Sequence, residues 1–153
     1  MKTWSLTFAV LATALFANCK HDQEPSDTHD HGAALSSKLP AGVNPVQNEM
    51  RVLHEATRDW VTAIANNDLA AIAGGIKKVH GARTLTETAL KTGSYRPPKN
   101  PGDLQQFEKQ DEAFHERLVR LMRAAQAKDL PRATLELGRV LEGCTDCHSK
   151  YRF

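Results

Sequence analysis

The chain has 153 residues with a formal net charge of +2, and 41% of its residues are hydrophobic. This length favours one folded domain with an extension. The balanced charge and the lack of a basic cluster exclude a typical nucleic-acid-binding protein. The one long apolar run lies at the N-terminus and is too short to span a bilayer.

Residues 1–18 have the pattern of an export signal, with Lys2 as a basic start, an apolar centre and small residues at the end. Of the three cysteines, Cys19 is left over directly after this segment. Residues 16–19 resemble a bacterial lipoprotein box, although Phe16 and Asn18 depart from the usual residues. We therefore predict lipidation of Cys19 and a lipid anchor to the membrane surface. Cleavage nearby without lipid is the alternative.

Residues 19–43 are polar, contain Pro25 and Pro40, and show neither helical nor strand periodicity. We interpret them as a flexible linker. Its closely spaced histidines, His21, His29 and His31, suggest metal capture. Solvated side chains on a flexible segment are the simpler interpretation.

Residues 44–153 show four helical patterns and no strand alternation. The first helix begins with Asn44 as N-cap and Pro45 at its first position. Its predicted apolar stripe is Val46, Met50, Leu53, Thr57, Trp60, Val61 and Ile64. The second helix is predicted over Leu69–Lys91, with Leu69, Ile72, Ile76, Val79 and Leu90 on its buried side. Its Gly74-Gly75 pair permits close packing, and Gly93 marks its end.

The third helix is predicted to follow Asp103 as its N-cap. Its stripe is Leu104, Phe107, Phe114, Leu118, Leu121, Met122 and Ala125. The fourth helix starts near Leu130-Pro131, and its inner face is Leu130, Ala133, Leu137, Val140, Leu141, Cys144, Cys147 and His148. Four helices with short connections predict an all-α fold, an antiparallel up-down four-helix bundle.

The fourth helix ends in Cys144-Thr145-Asp146-Cys147-His148, the attachment signature of a c-type haem. On a helix these three side chains share one face at i, i+3 and i+4. Both sulfurs can then form thioethers to one porphyrin edge, while the imidazole reaches the iron. A zinc site would need four ligands, and a thioredoxin-like dithiol would need a βαβ setting. We therefore predict one covalently bound haem c.

A four-helix bundle with this motif near its end, continued as His148-Ser149-Lys150-Tyr151-Arg152, resembles class II c-type cytochromes, the cytochrome c′ family. The resemblance covers residues 44–153. It implies thioethers at Cys144 and Cys147, His148 as the proximal iron ligand, and Tyr151 and Arg152 near the exposed haem edge. It also implies assembly outside the cytoplasm, in the bacterial periplasm. Members often pair as homodimers, although no exposed apolar stripe can be assigned here.

Members of the family that the chain resembles differ in the sixth iron ligand. High-spin members have none, and low-spin members have a methionine. Met50, on the inner stripe of the first helix, is the predicted distal ligand, and core filler is its alternative role. His54, one turn further along, is the alternative ligand. His80 and His115 are further candidates with packing or surface positions as the simpler interpretation.

These features predict a non-enzymatic electron carrier of the cell envelope that passes single electrons between redox partner proteins. The main alternative is a high-spin protein that binds NO or CO at an open distal site, where Met50 would only lie nearby. A peroxidase would need an open iron and a positioned acid–base group, for which His54 is the candidate.

Overall fold

The computed structural model describes Leu39 and residues 42–152. Four helices make up most of this part of the chain: α1 (Pro45–Ala65), α2 (Ile72–Lys91), α3 (Leu104–Gln126) and α4 (Leu130–Tyr151). A short 3₁₀ helix, Leu69–Ala71, precedes α2, so the regular helix begins three residues later than the sequence predicted. In the described residues, none of the helices combines the length and apolarity that a membrane crossing requires.

The predicted signal segment, residues 1–18, lies outside the described residues. So do Cys19, the three linker histidines and nearly all of the predicted linker. Lipidation of Cys19 and export of the chain therefore remain predictions from the sequence.

The helices begin where short polar side chains can satisfy free backbone N–H groups. Asn44 Oδ1 accepts from the backbone N–H of Val46 at 3.0 Å and of Gln47 at 3.3 Å, which confirms the predicted N-cap of α1. Asp103 occupies the predicted N-cap position of α3, but its side chain makes no capping bond to the helix. Its carboxylate instead pairs with Lys150 Nζ at 3.1 Å, so it ties the start of α3 to the end of α4.

The four helices form a bundle in which α1 packs mainly on α2, and α3 mainly on α4. The main core lies between them and includes the completely buried Trp60, Ile72, Ile76, Val79, Leu118, Leu121 and Val140. Trp60 Nε1 donates to the carbonyl of Ile72 at 3.2 Å. A Cβ at Gly75 would lie 2.6 Å from that nitrogen, so the predicted close packing at a glycine is confirmed there.

Two residues predicted on inner faces are exposed rather than buried. Val61 is 50% exposed, and Leu141 is 44% exposed. The buried residues of α1 follow strict 3–4 spacing: Val46, Glu49, Leu53, Ala56, Trp60 and Ala63. The predicted stripe was wrong at Val61 because that position lies one residue beyond the Trp60 row.

The connection from α2 to α3 holds the last turn of α4. Gly93 adopts φ 68° directly after α2, as the predicted stop requires. Further along, the backbone N–H of Lys99 donates to the carbonyl of Tyr151 at 3.1 Å, and Asn100 Nδ2 donates to the carbonyl of Lys150 at 2.8 Å. These bonds satisfy carbonyls that the end of a helix leaves without partners. They keep α4 helical through the residues that follow the CxxCH motif.

Candidate haem site

A cavity of about 280 Å³ lies at the end of the bundle where α1 begins and α4 ends, and most of its wall is apolar. Six residues that the sequence analysis assigned to the site line it together: Met50, His54, Cys144, Cys147, His148 and Arg152. The wall is completed by residues from all four helices, among them Val46, Leu53, Thr86, Phe107, Phe114 and Leu141. The fold therefore brings the predicted attachment residues and the predicted sixth ligand to one cavity.

Helix α4 presents the CxxCH motif to this cavity. The helix is continuous from Leu130 to Tyr151, so Cys144, Cys147 and His148 occupy one face. Cys144 packs against the main core, and Cys147 packs against a second cluster formed by Leu90, Phe107 and Tyr151. Neither cysteine forms a disulfide, so both sulfurs are available for thioether bonds.

Gly143 allows the close approach of α4 to α3 beside the motif. A Cβ at this position would lie 2.8 Å from Cδ2 of Phe114 and 3.3 Å from Nη1 of Arg117. Such a distance is far inside ordinary carbon–carbon contact. The Phe114 ring, which lines the cavity, can pack directly over the helix backbone only because position 143 has no side chain.

Burial controls the protonation of the motif. It raises the pKa of the Cys144 thiol, and together with the nearby Asp111 charge it raises the pKa of Cys147 to about 11. Both thiols are therefore protonated at neutral pH before any thioether forms. Burial, followed by the positive charge of Arg152, lowers the pKa of His148. The imidazole is then neutral near pH 7, which is the form that can ligate a metal.

The remaining candidates separate into cavity and core positions. His54 is exposed on α1 but lines the cavity, as does Arg152. Tyr151 is only 2% exposed and does not line the cavity. Its ring packs edge-on against Phe107, and its hydroxyl donates to Asp103. Tyr151 therefore occupies a core position in the second cluster, and its implied position near a haem edge stays a prediction.

His80 and His115 do not line the cavity. His115 is 3% exposed, and its Nε2 lies 2.9 Å from Oε1 of Glu49. The sequence analysis missed Glu49 and Asp111, two acidic residues of the cavity wall. Glu49 could have been found from its position, because it occupies an inner position of the 3–4 pattern of α1, where a charged residue is unusual.

Residues 100–152 match the sequence model of the family described as cytochrome C'. This match contains all of α3 and α4 and the complete CxxCH motif. Over these residues the chain is similar to the class II c-type cytochromes. Members of this family carry a covalently attached haem c, and the matched residues of this chain contain the attachment motif for one such group.

A solved structure supports the fold of this chain. It is the nitrosyl complex of an aspartate-to-glutamine variant of cytochrome c prime from Alcaligenes xylosoxidans, with a TM-score of 0.56 and 23% sequence identity. The similarity covers 71% of the present chain and 94% of that chain. At this identity it shows the four-helix bundle alone. The comparison with curated protein sequences finds no match to this chain.

The residues of the cavity fit a haem c. Two sulfurs and an imidazole stand on one helix face at the spacing that thioether attachment requires, and an apolar cavity opens beside them. Gly143 and the apolar ring of Phe114 both line the cavity next to the motif. Cys144, Cys147 and His148 are the residues that would hold the group.

Proposed function

We propose that this cytochrome carries single electrons between redox partner proteins in the periplasm, with a haem c bound at Cys144 and Cys147 and its iron ligated by His148 and Met50. The observation that supports the proposal most strongly is the position of Met50. This residue lies on α1, whereas the attachment motif lies on α4, and both line the same cavity.

The haem c supplies an iron that changes by one electron between the ferrous and ferric states. The protein's own residues determine how that change is used. A neutral imidazole from His148 and a thioether from Met50 are both strong-field ligands that keep the coordination alike in the two states. Little rearrangement of the site then accompanies each electron, which favours rapid transfer to a partner.

The environment of Met50 is consistent with this role. It is partly buried, packs against the main core, and neighbours Leu53 on the cavity side of α1. A side chain held by the core on one side and open to the cavity on the other has few positions to sample. Arg152 is exposed and also lines the cavity, so it marks the edge at which we place partner docking.

A second function, binding of NO or CO, is favoured by a specific observation. The structurally similar cytochrome c prime variant was solved as a nitrosyl complex. In the present cavity Leu53 lies one turn from Met50 and could shield the distal side instead. In that arrangement Met50 would be part of the wall and the sixth position would be open to a gas.

The test is the absorption spectrum of the reduced haem-loaded chain, followed by carbon monoxide mixing. If Met50 ligates the iron, the wild type shows a sharp low-spin α-band and binds carbon monoxide slowly. Met50→Leu then becomes high-spin and binds carbon monoxide rapidly.

Met122→Leu is the matched control, because Met122 packs against the main core on α3 and does not line the cavity. It should behave as the wild type. A broad high-spin spectrum in the wild type, with equal carbon monoxide binding in Met50→Leu, would overturn the electron-carrier proposal and support the gas-binding function.

A further inference from the structure

Three polar side chains from α1 and α3 meet in the bundle interior beside the haem cavity. Glu49 is 0% exposed and His115 is 3% exposed. His115 Nε2 lies 2.9 Å from Glu49 Oε1 and 3.7 Å from Asp111 Oδ1. Glu49 and Asp111 line the cavity, whereas His115 lies behind them. We call Glu49, Asp111 and His115 the buried triad.

The hydrogen bonds of the buried triad are incomplete. Glu49 Oε2 and His115 Nδ1 are both buried and have no hydrogen-bond partner. A buried carboxylate oxygen without a donor is costly, because it has lost water and gained nothing in exchange. Arg83 Nε lies 3.1 Å from Asp111 Oδ2 and balances one of the two carboxylates. The other carboxylate, that of Glu49, has the imidazole of His115 as its close neighbour.

We propose that the buried triad binds one divalent transition-metal ion of the Zn²⁺ class, separate from the haem iron. Two carboxylates and one imidazole are a ligand set that zinc takes in proteins. One ligand atom from each residue lies within 4.8 Å of the others. A tetrahedral ion with bonds of about 2.0–2.2 Å needs neighbouring ligand atoms roughly 3.3 Å apart. The two distances of 2.9 and 3.7 Å lie on either side of that value.

The ion also reduces one of these two structural costs. It takes the place of the hydrogen bond between Glu49 Oε1 and His115 Nε2, and it gives the unpaired Glu49 Oε2 a positive neighbour. Because Glu49 and Asp111 line the cavity, water from the cavity would complete the shell. Because the ligands come from α1 and α3, the ion joins two helices that pack little against each other.

The test measures zinc in the haem-loaded full chain. The linker histidines His21, His29 and His31 are first replaced by glutamine, so that they cannot capture the ion; we call this the linker variant. After treatment with a chelator, the protein is dialysed against Zn²⁺, and zinc and iron are counted by elemental analysis. The expected result is one zinc per iron in the linker variant.

Adding His115→Gln or Asp111→Asn to the linker variant should weaken zinc binding by roughly a hundredfold or more, because each removes a direct ligand. Glu112→Gln is the matched control, since Glu112 is exposed and adjacent to Asp111 on α3. It should retain one zinc per iron. Asp111→Asn keeps the test decisive if the deeply buried His115→Gln fails to fold, as circular dichroism would reveal.

Absence of zinc from the linker variant, or zinc binding unchanged in Asp111→Asn, would overturn the proposal. The haem spectrum separates this outcome from failure of the electron-carrier function. The spectrum depends on His148 and Met50, and neither belongs to the buried triad.

Discussion

The contact between α4 and α3 at Gly143 provides a sharp test of how the haem cavity is built. We consider Gly143→Ala, with Gly138→Ala as its control. Both positions lie inside α4, but a Cβ at Gly138 would meet nothing within 4 Å. At Gly143 the same methyl group would lie 2.8 Å from the Phe114 ring. The two variants therefore differ in packing and not in local helix preference.

The magnitudes follow from this difference. Replacing glycine with alanine inside a helix stabilises a protein by about 0.5–1 kcal/mol, and Gly138→Ala should gain this amount. Gly143→Ala gains the same helix stabilisation. However, its methyl group would lie 2.8 Å from the Phe114 ring, about 0.7 Å closer than an ordinary 3.5 Å carbon–carbon contact (3.5 − 2.8). Overpacking of this kind costs about 1–3 kcal/mol. Gly143→Ala should thus be less stable than Gly138→Ala by about 1–3 kcal/mol.

The assay is denaturant unfolding of both haem-loaded variants, followed by circular dichroism and by the haem absorbance. Because Phe114 lines the cavity, Gly143→Ala should also shift the haem spectrum, whereas Gly138→Ala should not. Equal free energies of unfolding for the two variants would refute the reasoning, since they would mean that Phe114 moves aside without cost.

Two further predictions concern other buried contacts. Gly75→Ala should destabilise the protein by about 1–3 kcal/mol relative to Gly74→Ala, because its Cβ would lie 2.6 Å from Trp60 Nε1, while a Cβ at Gly74 meets nothing within 4 Å. Thermal unfolding with tryptophan fluorescence measures this, and a stabilised Gly75→Ala would contradict it. Glu136 is fully buried and pairs with Arg132 and Arg139 at 2.8 Å. Glu136→Ala should cost about 1–3 kcal/mol, a value reduced because both arginines are partly exposed, whereas the exposed Glu142→Ala should stay within about 0.5 kcal/mol. Urea unfolding compares the two, and equal losses would show that the Glu136 pairs contribute nothing.

The helices could be predicted from the sequence because their signals are local. Asn44, Pro45 and Gly93 mark helix ends through their own side chains and backbone preferences. The role of Asp103 could not be predicted in the same way. Aspartate directly before a helix is a typical N-cap residue. The carboxylate of Asp103 instead forms an ion pair with Lys150, which is 47 positions away (150 − 103). An ion pair between residues so far apart in the chain cannot be predicted from the local sequence.

The residues of the candidate site also differ in whether local sequence predicts their position. The attachment motif consists of five consecutive residues, and on any helix its spacing puts Cys144, Cys147 and His148 on one face. The residues for haem attachment could therefore be predicted from the sequence alone. Met50 lies on another helix. Only the packing of α1 against the rest of the bundle decides that it lines the same cavity.

The sequence by itself determined the helices and the attachment motif, because periodicity and spacing act over a few turns. The tertiary structure decided which side chains share a cavity. It placed Tyr151 in the core, and it brought Glu49 of α1 to His115 of α3. The physical reason is that burial and pairing of polar groups depend on which helices meet, and that choice is made by the whole core rather than by any one segment.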